Sequence, residues 1–504
     1  METTRLTRGT KRRYSGEQTG RSNCKSDKGT TSTEENAFVS TSNASPRHTG
    51  FGTAPDAKDR DEAYFRDLYT IEPNFHHLGQ KYPEFGSLLT DGMHLDFTNP
   101  AAVMGLTKTL LKADFGLEIN LPSNRLCPPV PNRHNYILWL KDLLDSTSSS
   151  YAEQFEPERK MMGLDIGTGA SAIYPLLACA QRAGWGFIAT DIDAESLSSA
   201  RENVRLNGLE SRIRIVDRGG SEESLIPLDE LSLESLDFVM VNPPFYSSET
   251  ELLELAQQKS QPPHSACTGA PVEMVCEGGE IKFVGRMIEE SLRLGGRVQW
   301  YTAMLGKLSS LEALVEILRG HDINNFAVTT FVQGSKTRRW GLAWSFLARR
   351  PSLDASRGLL GSAKKYLPPI TAVTIYKDAS RAQTDSISLL QKVLRNTVES
   401  LDLRLWTWDE KRLRGVGFSE SNVWSRAYRR KRAAGTKPET SVPSPDASDC
   451  VFGFSIFILP ESPDKPGSGP AVFLRWLQGD DESLFESFAG LIRRCLRTDA
   501  GDSS

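Results

Sequence analysis

No run of this chain is apolar for the length of a bilayer, which excludes a membrane-spanning helix. No signal-peptide pattern opens it either, so the expectation is a soluble, intracellular protein. Cysteine is sparse. Seven are scattered through 504 residues with no CxxC pair, so neither a disulfide framework nor a cysteine metal site is expected. A charge excess is also missing: 60 Lys and Arg against 64 Asp and Glu leave a net −4. Nothing global therefore advertises nucleic acid, and any basic surface has to be local. Residues 1–60 have few large apolar side chains and cannot bury a core, so they read as a disordered tail. Within that tail, Lys11, Arg12 and Arg13 could serve nuclear targeting or RNA contact, but fit a solvated charge run better.

What is present is enough apolar chain, 38% of the residues, for one large core and a smaller second one. The most informative stretch is Asn242-Pro243-Pro244-Phe245, directly after the β-prone run Leu236–Val241. It falls at a strand's C-terminal end, where open α/β sheets bind ligands. The prolines stiffen the turn and remove two backbone donors, leaving a carbonyl aimed outward. The Asn242 amide oxygen and the Pro243 carbonyl are two acceptors suited to an NH2 group, and Phe245 offers a face to a planar ring. An exocyclic base amine is a poor nucleophile because its lone pair is delocalised. Two acceptors on its hydrogens can turn that lone pair toward an electrophile without a strong base. An ordinary Pro-Pro turn explains the same four letters, so the upstream context has to decide.

That context is Met161–Ser171, an apolar run ending in the glycine-rich turn of Gly167 and Gly169. Its glycines permit close backbone approach to a ligand, and a helix over 172–182 presents its amides to the same place. A second strand, Gly186–Thr190, ends at Asp191, an acid placed for ribose hydroxyls. The segment also satisfies a dinucleotide fingerprint, so a nicotinamide enzyme competes on this stretch alone. A dehydrogenase has no use for an amine-binding turn at the fourth strand. Glycine loop, acidic strand tip and NPPF in that order read as an S-adenosylmethionine-dependent amino-methyltransferase.

Strands are expected near 161–165, 186–190, 212–216, 236–241, 297–303, 326–332 and 340–347, alternating with helices. That is an α/β protein with a seven-stranded, mostly parallel, Rossmann-like sheet whose last two strands form an antiparallel hairpin. The expected organisation is a tail to residue 60, a helical extension over 61–150, to which the resemblance given below adds RNA binding, and the catalytic domain over 151–349. A polar linker over 350–367 and a smaller α+β RNA-binding-like domain over 368–498 complete it. The extension is expected to carry helices at Phe65–Phe85, Pro100–Phe115 and Pro128–Leu144. The long excursion Tyr246–Glu280 reads as a substrate lid or a surface insertion. In the C-terminal domain, a basic disordered loop over 426–449 carries Arg426, Arg429, Arg430, Lys431 and Arg432 interleaved with Trp424 and Tyr428. Such a mixture suits RNA phosphates and unstacked bases, and suits a nuclear-localisation signal too.

The stretch from Asn74 to Phe346 resembles the eukaryotic U6 small nuclear RNA adenine-N6 methyltransferase family and its bacterial ribosomal-RNA relatives. The matching pieces include Lys81–Phe85 (KYPEF), Val130–Arg133 (VPNR), Leu164–Ser171 with Tyr174, the NPPF turn, Glu277–Glu280 (EGGE), Met304–Lys307 (MLGK) and Arg339-Trp340. The resemblance implies S-adenosylmethionine as cofactor, structured RNA as partner, no metal, and the nucleus as location with the cytoplasm also open. It implies that Arg133 reaches the cofactor carboxylate, and that Gly167, Gly169, Asp191, Ser224 and Asn242 complete that half of the site. Asp191 stands where the family has Glu, Ser224 where it has Thr, and Glu223 where Lys is usual. Lys307, Lys336, Arg338 and Arg339 are implied RNA contacts. The C-terminal unit is similar to the family's RNA-binding appendage. Two other classes stay open: a protein-glutamine methyltransferase, which uses a similar turn, and a non-catalytic RNA-binding protein with a vestigial site.

Overall fold

The structure, a computed structural model, describes residues 60–219, 223–248, 250–251, 269–333, 337–361, 363–377, 384–433, 449–460 and 469–499. The tail with Lys11, Arg12 and Arg13 lies outside the described residues, as does Lys336.

Proline punctuates the N-terminal helices. In place of one helix over Phe65–Phe85 there are three, Glu62–Asp67, Phe75–Lys81 and Pro83–Gly86. Asn74, one residue after Pro73, starts the second by accepting the His77 amide, and Pro83 occupies the first turn of the third. A two-strand ribbon follows, β1 (Leu89–Thr90) and β2 (His94–Leu95). The helix Pro100–Leu110 runs on through a π-helical turn, Leu111–Phe115, into left-handed Gly116. Helix Val130–Ser146 is buried along most of its length, which puts Arg133 inside the molecule.

The central sheet is built from β3 (Met161–Ile166), β4 (Trp185–Asp191), β5 (Ile213–Asp217), β6 (Leu236–Val241), β7 (Val298–Leu305), β8 (Phe326–Gln333) and β9 (Thr337–Trp344). An eighth member, β10 (Arg357–Gly358), pairs parallel to β8, so the seven-stranded expectation is short by one. The order is β10-β8-β9-β7-β6-β3-β4-β5. Five strands from β7 to β5 run parallel, and the β8–β9 hairpin is antiparallel, as its short loop predicted. Apolar side chains pack on both faces, Leu140, Leu177 and Phe238 in one layer and Val241, Met287 and Leu305 in the other.

Residues 350–366 are not a free linker. Arg350 is buried at 2% exposure, the helix Leu353–Ser356 gives its Ala355 carbonyl to the Trp139 indole, and Ala363 and Tyr366 join the core. Polar composition misled the sequence reading here, because the buried groups are those that find partners.

The C-terminal unit is a five-stranded antiparallel sheet in the order β11-β15-β14-β13-β12. Its strands are β11 (Ala372–Lys377), β12 (Leu405–Asp409), β13 (Arg414–Ser419), β14 (Phe452–Leu459) and β15 (Ala471–Gln478), packed with helices Thr384–Glu399 and Glu482–Asp499. Strand β13 had no sequence signal: a Cβ at Gly415 would meet the Trp406 ring, and one at Gly417 the Phe454 ring. Glycine there makes room for aromatics at the expense of β-propensity. The basic stretch begins as a helix, Arg426–Ala433, rather than as disordered loop. This sheet is fastened to the central domain. Tyr151 packs on Phe418, Glu153 pairs with both Arg414 and Arg475, and Arg350 lies over Trp476 while pairing with Asp480.

Candidate active site

Strand order sets the site. Because β3 lies between β4 and β6, the chain changes direction across the sheet there, and a crevice opens at the strands' C-terminal ends. The register pairs Ile166 with Val241, so Gly167 and Asn242 emerge side by side. A cavity of about 580 Å³ opens above them, lined by Arg133, Gly167, Gly169, Asp191, Ser224 and Asn242 among others. That size lies within the ~300–1,000 Å³ range of small-molecule sites.

The floor is a braced glycine loop. Gly167 and Gly169 have φ of +69° and +64°, and no atom lies within 4 Å of where a Gly167 side chain would start. Asp191 accepts the Gly169 amide at 2.8 Å and the amides of Ile192 and Asp193. It therefore holds the loop as well as facing the cavity. Behind the loop, fully buried Asp165 accepts the Thr168 hydroxyl at 2.7 Å while its other oxygen has no partner among the described residues. Burial pushes Asp165 up to about 7, and Asp191 adds to the rise.

Arg133 is the second element. It is 5% exposed, and its guanidinium donates to the Tyr174 hydroxyl at 2.9 Å, the Asn242 side-chain oxygen at 3.1 Å and the Met304 sulfur at 3.3 Å. It makes no ion pair among the described residues, and its Nε is buried without a partner. A buried cation held only by neutral groups is a place prepared for an anion. At a separation of 109 residues, the bond from Arg133 to Asn242 has no signature in the sequence.

The walls come from far apart. Glu273 accepts the amides of Leu126 and Ala270, both at 2.9 Å, joining the segment before the buried helix to the short helix Pro271–Met274. Tyr246 forms a parallel bridge with Val275, so the end of the long excursion returns against the NPPF turn. Of that excursion, residues 249 and 252–268 lie outside the described residues. Neither Glu273 nor Asp165 carried a role in the sequence reading; an acid directly before a glycine loop was the available signal for the second.

The remaining sequence-selected residues are placed as follows. Asn242 and Phe245 are half-buried, and Pro243 is buried. Phe245 lies under the Arg339 guanidinium, 5.3 Å from ring centroid to Cζ. Ser224 lines the cavity, but its hydroxyl donates to Glu290 and the Ile226 carbonyl, and Glu223 is exposed and paired with Arg218. Lys307 pairs with Glu251 at 2.8 Å and Arg338 is exposed. Arg426, Arg429, Arg430, Lys431 and Arg432 project from one short exposed helix.

Residues 58–348 match a family model described as RNA methyltransferase. The chain belongs to this RNA methyltransferase family. A U6 small nuclear RNA (adenine-(43)-N(6))-methyltransferase of Schizosaccharomyces pombe is 37% identical to it, over 80% of this chain and 95% of the yeast protein. An RNA N(6)-adenosine-methyltransferase of Danio rerio, mettl16, is 36% identical over 84% of this chain and 95% of its own. Among solved structures, the human Mettl16 catalytic domain in complex with MAT2A 3′UTR hairpin 1 is similar at 40% identity and a TM-score of 0.50. That match covers 56% of this chain and 94% of the human domain. The family's methyl donor, S-adenosylmethionine, suits the donor set present: an unpaired buried cation for its carboxylate, open glycines for close approach, and Asp191 for hydroxyls. Among the described residues there is no cluster of His, Cys, Asp and Glu able to hold a metal ion, and no helix long and apolar enough to cross a membrane.

Proposed function

We propose that this enzyme methylates the N6 amine of an adenine in U6 small nuclear RNA, within the nucleus. The observation that carries the reading is the NPPF turn beside the glycine loop at the switch point, with Asn242 already oriented by Arg133. The names of the yeast and zebrafish relatives support adenine N6, and the yeast name supports U6.

Bound S-adenosylmethionine supplies a methyl group on a positively charged sulfur. The protein's own part is orientation. Because Arg133 holds the Asn242 oxygen on one side, the amide has one fixed rotamer toward the incoming amine. The Asn242 oxygen and the Pro243 carbonyl take the two amine hydrogens, and Phe245 supplies the stacking face for an adenine extruded from its helix. No side-chain base is needed, since the proton is acidic once nitrogen is alkylated and passes to solvent. Outside the pocket, Arg338 and the basic residues of the helix Arg426–Ala433 are exposed cations able to meet phosphates.

The test is transfer of labelled methyl from S-adenosylmethionine to U6 RNA and to a pool of unrelated hairpins. Label on U6 well above the pool is expected. Label confined to other RNA, or to protein, would overturn the substrate and leave the family standing.

A further inference from the structure

The residues around Phe245 form a mount for its ring. Gly306, just past the end of β7, lies beside the ring. A side chain there would begin 2.9 Å from Phe245 Cδ1 and 3.3 Å from Cε1. Gly306 is held by Glu280, second residue of the helix Gly279–Leu294 and only 3% exposed. One Glu280 oxygen accepts the Gly306 amide at 2.7 Å, and the other accepts the Lys307 amide at 3.1 Å. A carboxylate spanning two successive amides fixes that backbone in place and orientation. The same helix start faces the other side of the turn, with Gly279 approaching the Phe245 carbonyl and the Ser247 backbone. A second tie runs from the Ser247 amide through Glu251 to the Lys307 ammonium, so the turn and the strand end are joined twice.

From this geometry we propose that Glu280 is a positioning residue of the base pocket. Through Gly306 it sets the plane of Phe245, and so the height and tilt at which the target adenine presents its amine. Both Glu280 oxygens are taken by backbone amides, so it acts through the ring. The inference rests on the reading of the NPPF turn as an adenine pocket. Orientation at a reacting centre is steeply expressed in rate, since a displacement of ~1 Å can cost ~100-fold.

The experiment is a double-mutant cycle of Glu280→Gln and Phe245→Ala, reading single-turnover methyl transfer and, separately, affinity for S-adenosylhomocysteine and for RNA. The amide of Gln can accept from only one of the two backbone donors. In the wild-type background Glu280→Gln is expected to slow transfer by about 10- to 100-fold, with both affinities unchanged. In the Phe245→Ala background it is expected to cost less than about threefold. Equal losses in the two backgrounds, or a matching loss of S-adenosylhomocysteine affinity, would overturn the proposal. Should Glu280→Gln fail to fold, Gly306→Ala enters the same cycle, since it displaces the ring without removing the carboxylate. The cycle runs on whichever RNA the wild-type enzyme methylates, so a wrong substrate assignment and a wrong role for Glu280 give different results.

Discussion

Asn242→Ala is expected to lower the single-turnover rate by at least ~10³-fold while the protein folds as before. The size follows from what the amide does. Removing one preorganised group that acts on a developing charge costs ~10²–10³-fold in other enzymes. In the proposed mechanism the same group also orients the nucleophile, and misorientation adds to the loss. Folding is spared because Asn242 is half-buried on a turn whose shape comes from the two prolines. Among the described residues its side chain accepts from Arg133, which keeps the Tyr174 hydroxyl and the Met304 sulfur as partners. Unchanged thermal unfolding beside a rate near that of wild type would refute the orienting role.

Arg133→Met should separate stability from binding in an unusual direction. A buried cation without a carboxylate partner is a burden on the folded state, and replacing it with an apolar side chain of similar length relieves it. The ligand-free variant is therefore expected to melt at or above the wild-type temperature. Stabilisation by S-adenosylhomocysteine should nevertheless vanish. Breaking a buried ion pair costs ~3–5 kcal/mol, which corresponds to an affinity loss of at least about 100-fold. Melting curves with and without S-adenosylhomocysteine, together with calorimetric titration, give both quantities. Affinity within about threefold of wild type would mean the guanidinium serves only to hold Asn242.

The contrast between these two residues shows how far sequence reading reaches. Asn242 was legible because its chemistry is local: four consecutive residues after an apolar strand specify a turn, two acceptors and a ring. The glycine loop and Asp191 were legible for the same reason, as strand ends have a recognisable grammar. Arg133 was selected by resemblance, but its bond to Asn242 belongs to tertiary structure alone. Glu280 and Glu273 are more instructive. Both lie in the stretch Tyr246–Glu280, yet each acts on backbone amides, Gly306 with Lys307 and Leu126 with Ala270, and an amide carries no side-chain signal. The elements that escaped notice were those where glycine or polar residues do structural work. Strand β13 trades side chains for neighbouring rings, and residues 350–366 bury polar groups in satisfied contacts.

Ser224 marks another limit. It lines the cavity, but its hydroxyl is occupied by Glu290 and a backbone carbonyl. The neighbouring Glu223 and Arg218 form an ion pair at the same rim. This side of the cavity thus differs in charge from the lysine-bearing loop that the resemblance implied.

The most direct test of the central claim is the identity of the methylated atom. U6 RNA treated with the wild-type enzyme and with Asn242→Ala is digested to nucleosides and analysed by mass spectrometry against authentic standards. The expected product is N6-methyladenosine alone, formed by the wild-type enzyme and absent with the variant. A methyl group on a ribose, on a pyrimidine or on a ring nitrogen of adenine would contradict the amine-orienting site. So would N6-methyladenosine formed equally well without the Asn242 amide.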